Sequence, residues 1–208
     1  MSAKKIAGKT SRPRDPEQSQ ERILAAALRE FAAKGLAGAR VDQIARRARI
    51  NKRMLYHYFG NKRDLFHAVM RRKITERQET TKTFSDEPTE NLPLSFHATC
   101  RETDWVRLLI WESLQTAGNQ IEDEAARQEA VRVSLADLRR RQNLGLLTPA
   151  FDERHLALAK LSLTMFPTAF PQLTRLITGK SPSDRQFQRE YMLFLNSFAV
   201  AFHPPPVG

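Results

Sequence analysis

Lys52, Arg53, Tyr56 and His57 fall within six residues, interleaved with the apolar Leu55 and Phe59, so at helical spacing the two kinds separate onto different sides. Two cations, a phenol and an imidazole donate hydrogen bonds to phosphate oxygens and base edges. Together they suit a groove of duplex DNA. A solvated basic surface is the competing reading for any one of these side chains, and it weakens for the set.

Positioning that set takes two short helices and a tight turn. Val41, Ile44, Ala45 and Ala48 stand at i, i+3, i+4 and i+7, with Asp42, Gln43, Arg46 and Arg47 opposite, which gives the first helix one packed face and one wet face. The pattern breaks after Ala48. Asn51 then offers a side-chain oxygen to free amides, so a second helix is expected to start at Lys52 with Leu55 and Phe59 packing inward beside Ile50. Asn61 reads as another N-cap, with Asp64 placed to complete a capping box. Lys62 is then expected at a helix start beside free amides, a setting suited to a phosphate.

Ile44-Ala45, Met54-Leu55-Tyr56-His57-Tyr58-Phe59, Asn61-Lys62 and Leu65 together resemble the signature of TetR-family (tetracycline-repressor-like) transcriptional regulators, over about residues 17–70. The resemblance implies an all-α dimer, with a three-helix helix-turn-helix head joined by a long helix to a helical ligand-binding and dimerisation body. It also implies operator contacts from the residues matching Lys52, Arg53, Met54, Tyr56, His57, Tyr58 and Lys62. Two departures stand out. Arg49 occupies a turn position where the family usually has Gly, which implies a distorted or slightly strained turn. Arg40 and Val41 stand where a capping Ser or Thr is common, and they are expected to serve as the backbone contact instead.

Charge is segregated in the same sense. Residues 1–77 carry 20 Lys and Arg against 7 Asp and Glu, whereas residues 78–208 carry 14 against 16, so the overall +11 belongs to the amino-terminal part. One end is expected to face a polyanion while the other does something different. With 208 residues, 41% of them apolar, the chain is long enough for a substantial core. A single Cys, no leader-like start and no apolar run near membrane-spanning length give the expectation of a soluble cytoplasmic protein without membrane contact. Cys100 reads as a packed thiol. The sequence has no P-loop, dinucleotide fingerprint, nucleophile elbow or paired-His metal spacing, so no enzyme activity, metal or cofactor is expected.

Three segments follow: a disordered basic tail over 1–14, a helix-turn-helix domain over 15–62 and a helical body over 63–208. Asp15 caps the first helix with Pro16 at its first position and Gln18 making a box-like pair; Ile23, Leu24, Ala27, Leu28 and Phe31 form its inner face, and Gly35 ends it with Leu36 packed behind. A long helix from Lys62 to about Thr83 is read as the mechanical coupler of head to body. The Pro-bearing stretch Ser85 to Pro93 reads as a loop. Body helices are expected near 94–101, 103–118, 121–143, 152–166 and 184–203, with a short one at 170–178; Asp152 and Ser183 are the expected caps.

Within the body, Trp105, Leu108, Trp111, Phe166 and Phe170 form a candidate pocket for a small hydrophobic or amphipathic effector, with ordinary core packing as the alternative. Leu156, Ala159 and Leu163 with Phe187, Tyr191, Phe194 and Phe198 form a candidate seam across a two-fold axis, or else close the monomer's own core. The expected function is a homodimeric repressor released from a pseudo-palindromic double-stranded operator by a small-molecule inducer. An architectural DNA-coating protein without ligand control is the alternative.

Overall fold

The computed structural model describes residues 15–82, 88–115, 121 and 124–200; the side chains of residues 81, 82, 88, 89 and 115 are left aside. The expected 1–14 tail and the helix ends at Thr83, 116–118 and 201–203 lie outside the described residues. Among those described there are ten helices and no strand: α1 (Pro16–Gly38), α2 (Val41–Ala48), α3 (Lys52–Phe59), α4 (Lys62–Lys82), α5 (Pro88–Arg101), α6 (Thr103–Gln115), α7 (Glu124–Asn143), α8 (Glu153–Ala169), α9 (Pro171–Thr178) and α10 (Arg185–Val200). The protein is all-α, as expected.

The first core grows from the stripes read above. Ile23, Ala27 and Phe31 of α1, Val41, Ile44, Ala45 and Ala48 of α2, Leu55 of α3, and Leu65, Phe66, Val69 and Met70 of α4 are buried in one cluster, with Ile50 and Phe59 packed against it. Phe31 and Phe66 meet edge to face at 5.2 Å. Trp105 and Leu108 of α6 belong to the same cluster, so α6 lies against α1 and the apolar core runs on past residue 62 into the body. The second core joins Phe96 of α5 to Phe187 and Leu195 of α10, with Leu163, Tyr191, Met192 and Cys100 packed around them. Burial raises the Cys100 thiol above its ordinary value, the behaviour of a packed cysteine rather than an activated one.

Prolines correct two expected boundaries. Pro88 to Pro93 belongs to α5 rather than a loop, and residues 85–87 of the expected loop lie outside the description. Pro167 lies inside α8 instead of ending it. A proline there leaves the carbonyl of Leu163 without its i+4 amide, and the Tyr191 hydroxyl of α10 donates to that oxygen at 3.0 Å. The sequence's helix breaker has become an attachment point between helices. Asp184 rather than Ser183 caps α10, accepting from the Gln186 amide at 2.7 Å, while Asp152 caps α8 as expected, accepting from Arg154 at 2.8 Å.

Gly35 interrupts α1 with φ 67 and ψ 176, a conformation open to glycine, and one further turn follows to Gly38. Leu36 packs on the first core behind the break. At the start of α1, Asp15 accepts from the Glu17 amide at 3.0 Å, one residue earlier than a box with Gln18.

Candidate nucleic-acid interface

Asn51 opens α3 by accepting from the Met54 amide at 2.7 Å, so the helix starts at Lys52. With Leu55 fully buried as the anchor, Lys52, Arg53, Tyr56 and His57 are exposed while Met54 and Tyr58 are half-buried. The ring of His57 meets that of Tyr58 edge to face at 5.7 Å, which orders the outer aromatic surface. Of the side chains expected at the operator, Lys52, Arg53, Tyr56 and His57 are the ones on α3 that reach well into solvent.

The α2–α3 turn is a Schellman-type closure. Ile50 N donates to the Ala45 carbonyl at 3.1 Å, Arg49 N donates to Arg46 at 3.2 Å, and Ile50 packs behind on the first core. Arg49 takes the left-handed conformation this requires, at φ 56 and ψ 44. The geometry is regular and the strain is carried by one exposed side chain. Arg49→Gly is expected to raise the unfolding free energy by about 1 kcal/mol, read from the urea midpoint at unchanged slope.

Glu30 of α1 holds the start of α2. Its side chain is 0% exposed, accepts from Lys34 Nζ at 3.0 Å and the Arg40 amide at 3.3 Å through Oε1, and from Arg47 at 2.9 Å through Oε2. Burial alone would raise this carboxyl; the bonds from Lys34 and Arg40 and the charges of Lys34 and Arg47 outweigh it and hold the pKa below the usual value. A buried Glu bracing the head gave no signal beyond its polarity on an otherwise apolar stripe.

Three of the expected contacts carry other duties. Arg40 is the N-terminal boundary of α2 without a side-chain cap bond, and Val41 is 8% exposed, its side chain packed in the first core and its amide at the helix start. Lys62, expected to stand over free amides, instead donates to the carbonyls of Ala37 and Ala39 at 3.1 and 3.3 Å and ties α4 to the end of α1. Asn61 does accept from the Arg63 and Asp64 amides, at 2.9 and 3.0 Å. Asp64 reaches back to the Asn61 side-chain amide at 2.5 Å rather than to its backbone.

Lys52 is paired with Asp42 of α2 at 3.0 Å, and the hydrogen bond and charge of Asp42 raise its pKa. A phosphate must displace that carboxylate. Asp42→Asn is accordingly expected to tighten duplex binding several-fold at low salt and steepen the salt dependence by up to about one phosphate contact, as measured by fluorescence anisotropy across a salt series.

The candidate pocket residues do not converge. Trp105 and Leu108 are buried against α1, and Trp111 Nε1 donates to the Ala32 carbonyl at 3.2 Å, so these three join head and body. Phe166 and Phe170 pair with each other at 5.1 Å on the surface, 41% and 47% exposed. The candidate seam also divides. Phe187, Tyr191 and Leu163 serve the second core; Leu156 and Phe198 are half-buried; Ala159 and Phe194 reach solvent. Sequence periodicity missed the more exposed Leu158, Leu161, Leu193 and Val200 beside them, which are 62%, 49%, 70% and 56% exposed. Among the described residues no group of acidic, His and Cys side chains has the arrangement of a metal site, and no helix is long and apolar enough to cross a membrane.

Comparison with known proteins agrees with this geometry. Residues 23–69 match the family model for bacterial regulatory proteins of the tetR family, and residues 94–194 match that for the tetracyclin repressor-like C-terminal domain. The chain is 35% identical over 168 residues to the HTH-type transcriptional repressor SCO4008 of Streptomyces coelicolor, covering 80% of this chain and 86% of that one. It is 39% identical over 59 residues to the repressor NicS of Pseudomonas putida, covering 28% of each. The crystal structure of SCO4942 from Streptomyces coelicolor superposes with a TM-score of 0.74 at 28% identity, over 90% of this chain and 99% of that one. FadR from Bacillus subtilis in complex with stearoyl-CoA shares the fold, with a TM-score of 0.58 at 18% identity over 85% of this chain and 97% of that one. An eight-residue reading helix on an α1–α4 core, followed by a helical body that matches along most of its length, makes this chain a member of the TetR family of DNA-binding transcriptional regulators.

Proposed function

We propose that the protein is a cytoplasmic homodimeric repressor whose paired heads read a pseudo-palindromic operator and release it when a small hydrophobic or amphipathic effector binds the body. The observation that carries this is the exposure of Lys52, Arg53, Tyr56 and His57 on a helix anchored from below by Leu55. Met54 and Tyr58 flank that surface, while Arg40, the Val41 amide and Lys62 border it where the backbone passes. One helix of eight residues reads few base pairs, so useful specificity asks for two copies. The solvent-facing Leu158, Leu161, Leu193, Phe194 and Val200 supply the apolar surface on which they pair.

Effector control requires tighter binding to the form that fits DNA poorly. Head and body are joined twice: through α4, which Lys62 fixes to the end of α1, and through α6, whose Trp111 holds the Ala32 carbonyl of α1. The relatives SCO4008 and NicS are repressors, and the FadR neighbour was crystallised with an acyl-CoA. Both support the reading.

The test is selection of bound fragments from random duplex DNA, followed by gel shift of the enriched site. A two-fold symmetric site is expected, with Tyr56→Ala weakening it about 10-fold or more at unchanged helical circular dichroism. Equal binding of all sequences at fixed salt would instead establish the architectural alternative.

A further inference from the structure

Among the described residues Arg49 alone combines a side chain with a left-handed backbone, at φ 56; the other positive-φ positions are Gly35, Gly60, Gly145 and Gly179. An L side chain in that conformation brings Cβ close to a carbonyl oxygen, a cost that glycine does not carry. Such a residue persists when its side chain contributes something in return. Within the fold it contributes nothing. The Arg49 side chain is exposed, and no described residue forms a hydrogen bond or ion pair with its guanidinium. Its cationic neighbours are held: Arg46 donates to Gln43, Arg47 donates to Glu30 at 2.9 Å, and Lys52 pairs with Asp42 at 3.0 Å.

The offsetting contact therefore lies outside the isolated chain. Arg49 stands in the turn between α2, which in a helix-turn-helix crosses the DNA backbone, and α3, whose first residues enter the groove. The turn is fixed from below, because Ile50 packs on the first core and the amides of Arg49 and Ile50 close onto α2. Three residues on is Lys52, a span of at most about 10 Å, within the roughly 12 Å width of the major groove. A cation so close to the start of a helix in the groove reaches the phosphates along its wall, and the positive end of α3 adds to the attraction for an anion. The guanidinium offers a planar fork of donors that matches phosphate oxygens.

We propose that Arg49 is a further DNA contact, a positioning residue whose guanidinium binds a backbone phosphate beside the start of α3, and that this bond offsets the strain of the free turn. The assignment rests on the head binding duplex DNA and is independent of pairing and effector control. Every sequence presents the same phosphates, so the contact adds affinity and fixes the docking of α3 without choosing bases.

The experiment is fluorescence anisotropy of the full chain across a salt series, on the selected operator and on a random-sequence duplex of equal length. The native protein is compared with Arg49→Gly, Arg49→Asn and Arg49→Lys. Glycine and asparagine both accept the left-handed turn, so the fold is kept. On both duplexes Arg49→Gly and Arg49→Asn are expected to bind about 5- to 10-fold more weakly for each bound head at about 0.1 M salt, with the slope of log K against log salt shallower by about 0.9 per head. Arg49→Lys keeps the native slope. Arg49→Gly is then the more stable protein and the weaker DNA binder, whereas a residue of purely structural effect would move both in the same direction. Unchanged affinity and slope in Arg49→Gly and Arg49→Asn, or a slope in Arg49→Lys as shallow as in Arg49→Gly, would overturn the assignment and leave the head's DNA binding intact. A loss confined to the operator would overturn it in favour of a base contact. Native protein that binds neither duplex would refute the DNA reading itself, and the assignment with it.

Discussion

Leu158→Asp combined with Leu193→Asp is expected to leave a folded monomer that binds the operator at least 100-fold more weakly than the native protein. Both leucines stand largely in solvent, 62% and 70% exposed, so a carboxylate at either position costs the isolated chain little. Across a two-fold axis the same change puts desolvated carboxylates into an apolar contact, which costs several kcal/mol for each symmetric interface. A lone head then binds with the affinity of non-specific contacts, about 10⁻⁴ to 10⁻⁶ M, in place of the 10⁻⁸ M or tighter that is usual for paired heads on a matched site. Sedimentation gives the mass and gel shift the affinity. A double variant that still sediments as a dimer would move the interface off α8 and α10.

The second large effect is expected at Glu30. Glu30→Ala removes three bonds, leaves the Arg40 amide without its acceptor and opens a void beneath α2, a loss of about 2–3 kcal/mol in the stability of the head. Lys34 and Arg47 are each 47% exposed and recover water, which keeps the loss below that of a fully buried ion pair. Glu30→Gln retains an acceptor for the Arg40 amide and is expected to lose about half as much. The pH dependence has a definite sign. The folded carboxyl titrates below its unfolded value, so its contribution is complete above about pH 5 and disappears as the pH falls through the lower, folded value. Urea midpoints measured from about pH 6 down to pH 3 should fall less steeply in Glu30→Gln than in the native chain. Parallel curves would show that the carboxylate charge adds nothing.

The head was legible in the sequence because its determinants are local. Asn51 and Asn61 sit next to the amides they cap, Leu55 anchors its own helix, and the α1 and α2 stripes bury the faces their periods announce. The body was less legible because its choices are made between distant elements. Trp111 has the same composition cue in a pocket wall as on a helix 79 residues away, and only tertiary packing sends its indole to Ala32. Phe187, Tyr191 and Phe194 share one stripe by spacing, yet α5 lies over the first two and leaves the third exposed. Pro93 and Pro167 read as stops by local rule, and their neighbours override it, at Pro167 through the hydroxyl of Tyr191. Lys52 and Asp42 were each read as solvent-facing. Their pairing depends on the angle between α2 and α3, which no single-helix pattern contains.

The indole clasp on α1 bears on how such regulators can be recombined. A hybrid spliced at residue 62, with this head on a foreign body, would place Phe31 and Ala32 opposite whatever surface the new α6 brings, and a mismatch there leaves apolar area wet and the Ala32 oxygen bare. Swapped specificities are inherited intact only when the α1-facing side of α6, Trp105, Leu108 and Trp111, travels with the reading helices, so the transferable unit is discontinuous in sequence.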